Sequence, residues 1–99
     1  EVWGATLTPY GGAKQPLRHN AAAEAKRLAV NKWIRTSGAF DRVLDFDAAI
    51  RDRRQISRIS PTLDSGDHVH PGDEGYRALA KAVPLHFFTE PGVPGAPHH

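Results

Sequence analysis

This sequence predicts an α/β fold with parallel strands. Three features carry that expectation: a β-branched and aromatic run near the start, a long alanine-rich segment of helix formers, and a second apolar run after a glycine. A strand, a helix and a strand in this order form a crossover unit, whose two strands lie parallel.

The first strand is expected over residues 2–8, where Val2, Trp3, Thr6 and Thr8 suit a buried strand and Pro9 ends it. Pro9-Tyr10-Gly11-Gly12 is loop punctuation, and the loop is expected to run to about His19. Asn20 can cap a helix through its side-chain oxygen, and residues 21–37 have high helix propensity. Ala22, Ala25, Ala29 and Trp33 form one stripe, widened by Leu28, Val30 and Ile34, and this face is expected on a core. Gly38 can close the helix in a left-handed conformation.

Residues 40–46 read as the second strand, and residues 48–52 as a short helical turn. A long polar connection then runs to about His70, of a length that is usually functional or mobile inside a small domain. Asp73 can cap a second helix over residues 74–83, with Tyr76, Leu79, Ala80 and Val83 as its apolar face. Pro84 lacks the N–H to continue it, and Leu85, Phe87 and Phe88 are expected to pack beyond the break. Residues 1–88 read as one folded unit and residues 89–99, rich in Pro and Gly, as a flexible tail. Two parallel strands are normally buried within a larger sheet, so further strands are expected beside these.

The 99 residues hold no cysteine, which excludes a disulfide framework, a thiol nucleophile and a cysteine-zinc site. No run approaches the roughly 18 apolar residues of a membrane helix. The net charge is +2, with Arg51, Arg53, Arg54 and Arg58 close together. Asp45, Asp47 and Asp52 lie beside them and no nucleic-acid module accompanies them, so they read as a solvated or ion-paired loop rather than a nucleic-acid surface.

Residues 64–71, Asp-Ser-Gly-Asp-His-Val-His-Pro, carry the chemistry. A histidine titrates near neutral pH and can act as a general base, and a carboxylate on its other nitrogen sets the tautomer. Asp67 and His70 can supply both from one turn. His68 and His70, with Asp64, Asp67 and Asp73 nearby, could instead ligate a metal ion as a small metal-binding domain. Spacing alone leaves both readings open.

Residues 64–76 resemble the last block of SGNH/GDSL-type serine ester hydrolases, which has the form Asp-x-x-His-Pro followed by Gly-Tyr at the final helix. Gly4-Ala-Thr-Leu-Thr-Pro-Tyr-Gly-Gly12, Asn31-x-Trp33-Ile34-Arg35 and Phe40-Asp41-x-Val43-Leu44-Asp45-Phe46-Asp47 also resemble a bacterial and fungal branch of that family, in the right order. The resemblance implies the C-terminal part of a flavodoxin-like α/β/α sandwich. No cofactor is expected, and without a membrane-length apolar run no membrane partner is expected either. The resemblance implies His70 as general base and then general acid, with Asp67 orienting it. It further implies small acyl esters as substrates, acetyl groups on carbohydrates among them, and an extracytoplasmic setting.

The family's Gly-Asp-Ser nucleophile block and its two oxyanion-hole blocks are missing, and Ser37, Ser57, Ser60 and Ser65 stand in no such setting. The serine would come from a complementary N-terminal segment or chain, or the module would self-associate. An idle, non-catalytic α/β remnant is the alternative. Tyr10, Gly11 and Gly12 are candidates for the border of a substrate cleft, and Asp45 and Asp47 read as structural.

Overall fold

A computed structural model describes residues 1–14 and 18–89. The described residues form a small mixed α/β domain. Its elements are β1 (Trp3–Ala5), α1 (Ala21–Thr36), β2 (Arg42–Leu44), α2 (Phe46–Ile50), α3 (Asp73–Lys81) and α4 (His86–Thr89). The strands pair in parallel, with Trp3 opposite Arg42, Gly4 opposite Val43 and Ala5 opposite Leu44. The crossover through α1 is therefore the one the sequence predicts. No helix among the described residues is long and apolar enough to cross a membrane.

Both strands are shorter than expected. Past β1, Asn31 of α1 takes over the backbone of Leu7: its Oδ1 accepts from the Leu7 N–H at 2.7 Å and its Nδ2 donates to the Leu7 carbonyl at 2.9 Å. Past β2, Asp45 turns the chain into α2 by accepting from the Ala48 N–H at 3.2 Å, so Phe46 is helical rather than extended. Gly4 sits in β1 with the Phe40 ring directly over it, where a Cβ would lie 2.6 Å from the ring.

Helix α1 begins where expected, with Asn20 Oδ1 accepting from the Ala23 N–H at 2.8 Å, and Gly38 follows it at φ 75°. The buried face is a correction. Arg27, Asn31 and Ile34 face inward, while Ala22, Ala25, Ala29, Val30 and Trp33 lie exposed. At 3.6 residues per turn Ala22, Ala25, Ala29 and Trp33 lie on the side opposite Arg27, Asn31 and Ile34, while Val30 lies at the edge beside Ile34. Of the expected apolar face Ile34 alone is buried; the rest of the stripe faces solvent, and the inward face is chosen by charge.

That charge is Asp47, which is fully buried at the first turn of α2. Its Oδ1 accepts from Arg27 Nη1 at 2.5 Å, and its Oδ2 accepts from Arg35 Nη2 and Arg51 Nη1, each at 3.0 Å. Arg27 is 2% exposed and also donates to both Glu24 oxygens and to the Leu7 and Ile56 carbonyls, so all five of its N–H groups are used. Arg35 grips Asp45 with two bonds of 2.8 and 2.9 Å. Thr6 joins the end of β1 to this network, donating to Asp45 at 3.0 Å and accepting from the Asp47 N–H at 2.9 Å. Three arginines meet three carboxylates, and no buried side-chain polar atom among the described residues is left unpartnered. The apolar core beside it consists of Ile34, Ile50 and Ile59.

Residues 51–72 carry no helix or strand but are knitted down. Arg51 bridges to Ile59 and Asp64 to Pro71, each antiparallel, and the Ser60 N–H donates to the Ile50 carbonyl at 2.8 Å. Helix α3 is capped by Gly72, with Asp73 its first helical residue rather than its cap. Of its expected apolar face, Leu79 and Val83 are half-buried, while Tyr76 and Ala80 are exposed and Gly75 is the buried residue. The helix stops at Lys81 ahead of Pro84, as expected. Helix α4 folds back so that Phe87 and Phe88 meet Trp3, each with ring centroids 5.3 Å apart. Arg42 stacks over Phe87 at 4.5 Å. Apart from Thr89, which ends α4, the expected tail lies outside the described residues.

Removing one partner of a buried ion network leaves the others as uncompensated charge. Asp47→Ala is expected to cost about 3–5 kcal/mol, a large share of the roughly 5–15 kcal/mol that holds a domain folded. Urea denaturation at neutral pH reads this directly, and a loss well under 1 kcal/mol would count against the network's role. Asp45 gives a pH signature. Its hydrogen bonds from Arg35, opposed by burial, hold its pKa down at about 2 against the usual 3.8. The unfolded chain therefore takes up the proton first, and this stabilisation is full above about pH 4 and fades as the pH falls towards 2. Asp45→Asn should make the acid limb of stability shallower in that window.

Candidate functional site

The loop of residues 64–71 is closed at its base. The Ser65 N–H donates to the His70 carbonyl at 3.1 Å, and the Gly72 N–H donates to the Leu63 carbonyl at 2.7 Å. Gly75 lies beneath this closure, where a Cβ would strike the Leu63 carbonyl and Pro71. The glycine that opens α3 thus lets the loop seat on the helix.

Asp67 and His70 meet as the sequence predicts. Asp67 Oδ2 lies 2.6 Å from His70 Nδ1, while Oδ1 accepts from the N–H groups of His70 and Val69, each at 2.8 Å, and from the Ser65 hydroxyl at 3.0 Å. One carboxylate therefore holds both the backbone and the ring of the same histidine. The His70 N–H, then the His70 ring, then the Val69 N–H push the Asp67 carboxyl well below the usual carboxylate range. An ionised carboxylate only accepts, so Nδ1 carries the proton and Nε2 presents its lone pair. The ring is 64% exposed. That is the arrangement a general base needs.

A second pair, not foreseen from the spacing, lies in the same loop. Asp64 Oδ2 lies 2.7 Å from His68 Nδ1, and Asp64 Oδ1 accepts from the N–H groups of Gly66 at 2.8 Å and His68 at 3.1 Å. Burial raises the Asp64 pKa, but the bonds from Gly66 and His68 outweigh it and leave it below its ordinary value. His68 stands at φ 66°, a conformation that non-glycine residues rarely adopt. Gly66 before it, at φ 111°, shares the bend. The segment is thus not extended, and each imidazole is turned to its own carboxylate. Among the described residues, no three His, Asp or Glu side chains gather as they would around an ion.

The Asp64–His68 pair lines a cleft of about 310 Å³ with Asp52, Gln55, Arg58 and Ile59. Tyr10, Gly11 and Gly12 do not line it. The Tyr10 ring meets His19 edge-on at 4.9 Å, and the Gly11 N–H donates to the Ser57 carbonyl at 2.7 Å. Gly12, at φ 88°, leaves room for the Arg58 guanidinium, which a Cβ would approach to 3.3 Å. These residues reach the cleft only through Arg58. Ser65 donates to Asp67, and Ser37 accepts from the Ala39 N–H at 3.1 Å. Among the described residues no serine hydroxyl bonds the His70 ring.

No protein-family model and no curated protein matches this chain.

The pair has a spectroscopic signature. Long-range ¹H–¹⁵N spectra of the neutral ring should show His70 as the Nδ1–H tautomer, the minority form of a free histidine. Asp67→Asn should shift it towards Nε2–H. A wild-type His70 already protonated on Nε2 would contradict the geometry.

Proposed function

We propose that this chain supplies the Asp–His half of a Ser-His-Asp triad in an ester hydrolase, with His70 as the base and Asp67 as its orienting carboxylate. The observation that carries the reading is the 2.6 Å contact of Asp67 with His70 Nδ1, which leaves Nε2 to accept a proton. The resemblance of residues 64–76 to the SGNH/GDSL block supports it. In this reading the parallel pair β1–β2, with its crossover α1, belongs to a flavodoxin-like sandwich. Residues 1–88 are the C-terminal portion of that sandwich. The exposed Val30, Trp33 and Leu85 are then positions that further elements of the sandwich would cover.

The nucleophile would be a serine on a complementary segment or chain. As its hydroxyl oxygen attacks the ester carbonyl, His70 Nε2 takes the hydroxyl proton, and the developing imidazolium is steadied by Asp67. His70 then returns that proton to the departing alcohol. In the second half it takes a proton from water as the hydroxide attacks the acyl-enzyme, and gives it back to the serine as the acid leaves. General acid–base catalysis of this kind contributes on the order of 10²–10⁴-fold. Small acyl esters are the proposed substrates, acetyl groups on carbohydrates among them. An extracytoplasmic setting goes with that reading.

Treatment of the purified protein with a fluorophosphonate probe, followed by denaturing intact-mass measurement, tests this. The expected result is a second, larger species bearing one adduct, whose labelling rate falls at least about a hundredfold with His70→Gln. A single unlabelled species near 10.8 kDa would instead leave an α/β module whose Asp–His pair is idle.

A further inference from the structure

The cleft beside the Asp64–His68 pair sorts its polar groups into two sets. Two carboxylates, Asp52 and Asp64, line it. Asp52 Oδ1 accepts from the N–H groups of Arg54 at 2.7 Å and Gln55 at 3.0 Å, and both oxygens of Asp64 are held by Gly66 and His68. Gln55, Arg58 and His68 bring donors, or a group that can become one, to the same lining. Among the described residues, Arg58 pairs with no carboxylate, unlike Arg27, Arg35 and Arg51.

Its backbone is nevertheless fixed. The Arg58 N–H donates to the Gln55 carbonyl at 2.9 Å, its carbonyl accepts from the Asp52 N–H at 2.8 Å, and its guanidinium lies over Gly12. His68 spends Nδ1 on Asp64 and keeps Nε2. Its left-handed backbone is an outlier of the kind that clusters at ligand sites. A neighbouring depression shares the Asp52 wall and carries Arg51, Arg53 and Arg54.

We propose that this cleft is a binding site for a small oxyanion, the carboxylate or phosphate group of a ligand, gripped by the planar fork of Arg58 and capped by the His68 ring. The fork matches two oxygens of either group. At about 310 Å³ the cleft admits a small molecule. The site stands apart from the esterase reading, since it uses neither Asp67 nor His70. With Nδ1 held by Asp64, His68 Nε2 donates to a ligand only in the protonated ring.

The test is a ¹H–¹⁵N titration of the whole chain with sodium acetate and, separately, with sodium phosphate, at constant ionic strength. Saturable shifts are expected in residues 52–58 and 64–68 and in the His68 ring. The tighter of the two probes names the source of the group. Arg58→Gln and Arg58→Lys should each weaken binding about tenfold or more, the lysine because it keeps the charge and loses the fork. Arg53→Gln should leave it unchanged. Arg58 is exposed, so the same spectra verify that the variants fold. Shifts that never saturate, or wild-type affinity in Arg58→Gln, would each overturn the site. The readout needs no esterase activity, so its failure and failure of the triad reading are separate results.

Discussion

The buried Asp47 carboxylate is the constraint around which the described structure is arranged. A fully buried charge is tolerated only where paired cations and hydrogen bonds replace its water. Arg27 and Arg35 of α1 and Arg51 after α2 provide this, and in doing so they set the rotation of α1 about its own axis. With Arg27 inward, Asn31 one turn later reaches the Leu7 peptide, and Ile34 after that enters the small apolar core. Thr6, bonded to both Asp45 and the Asp47 amide, ties the end of β1 to the same point. Helix α1, the end of β1 and the start of α2 are thus held by one polar cluster rather than by an oily interior.

This arrangement supports the loop chemistry at one remove. Arg27 also donates to the Ile56 carbonyl, and the Ser57 carbonyl receives the Gly11 N–H, so the turn at residues 52–58 is anchored from two sides. That turn holds Arg58 and faces the loop of Asp64 and His68. The loop itself is rigidified from within. Asp64 and Asp67 each bind the backbone and the ring of a histidine, which is an economical way to orient two imidazoles in a stretch with no helix or strand. One pair faces solvent and the other lines a cleft, so one loop presents two oriented imidazoles side by side.

What was legible in the sequence was local. The Asn20 cap, the extent of α1, Gly38 at φ 75°, the break before Pro84 and the Asp67–His70 pair all depend on residues a few positions apart. The parallel pairing followed from element order alone. What was not legible depends on distant partners. Hydrophobic periodicity placed Ala22, Ala25, Ala29 and Trp33 inside, because it cannot see that Arg27 meets Asp47 twenty residues away. The strands ended early because Asn31 and Asp45 captured backbone groups that a strand would have used. The Asp64–His68 pair requires a left-handed histidine, a conformation few non-glycine residues adopt, although Gly66 hinted at a bend. Arg58 read as one member of a solvated cluster, and only the fold shows it over Gly12 at the wall of a cleft.

The central claim is that His70, oriented by Asp67, acts as the base of an ester hydrolase. The kcat/KM for a small acetyl ester, measured on the chain together with the segment that supplies the serine, tests it most directly. The account predicts turnover that His70→Gln abolishes and that Asp67→Asn lowers. Turnover that survives His70→Gln would contradict it.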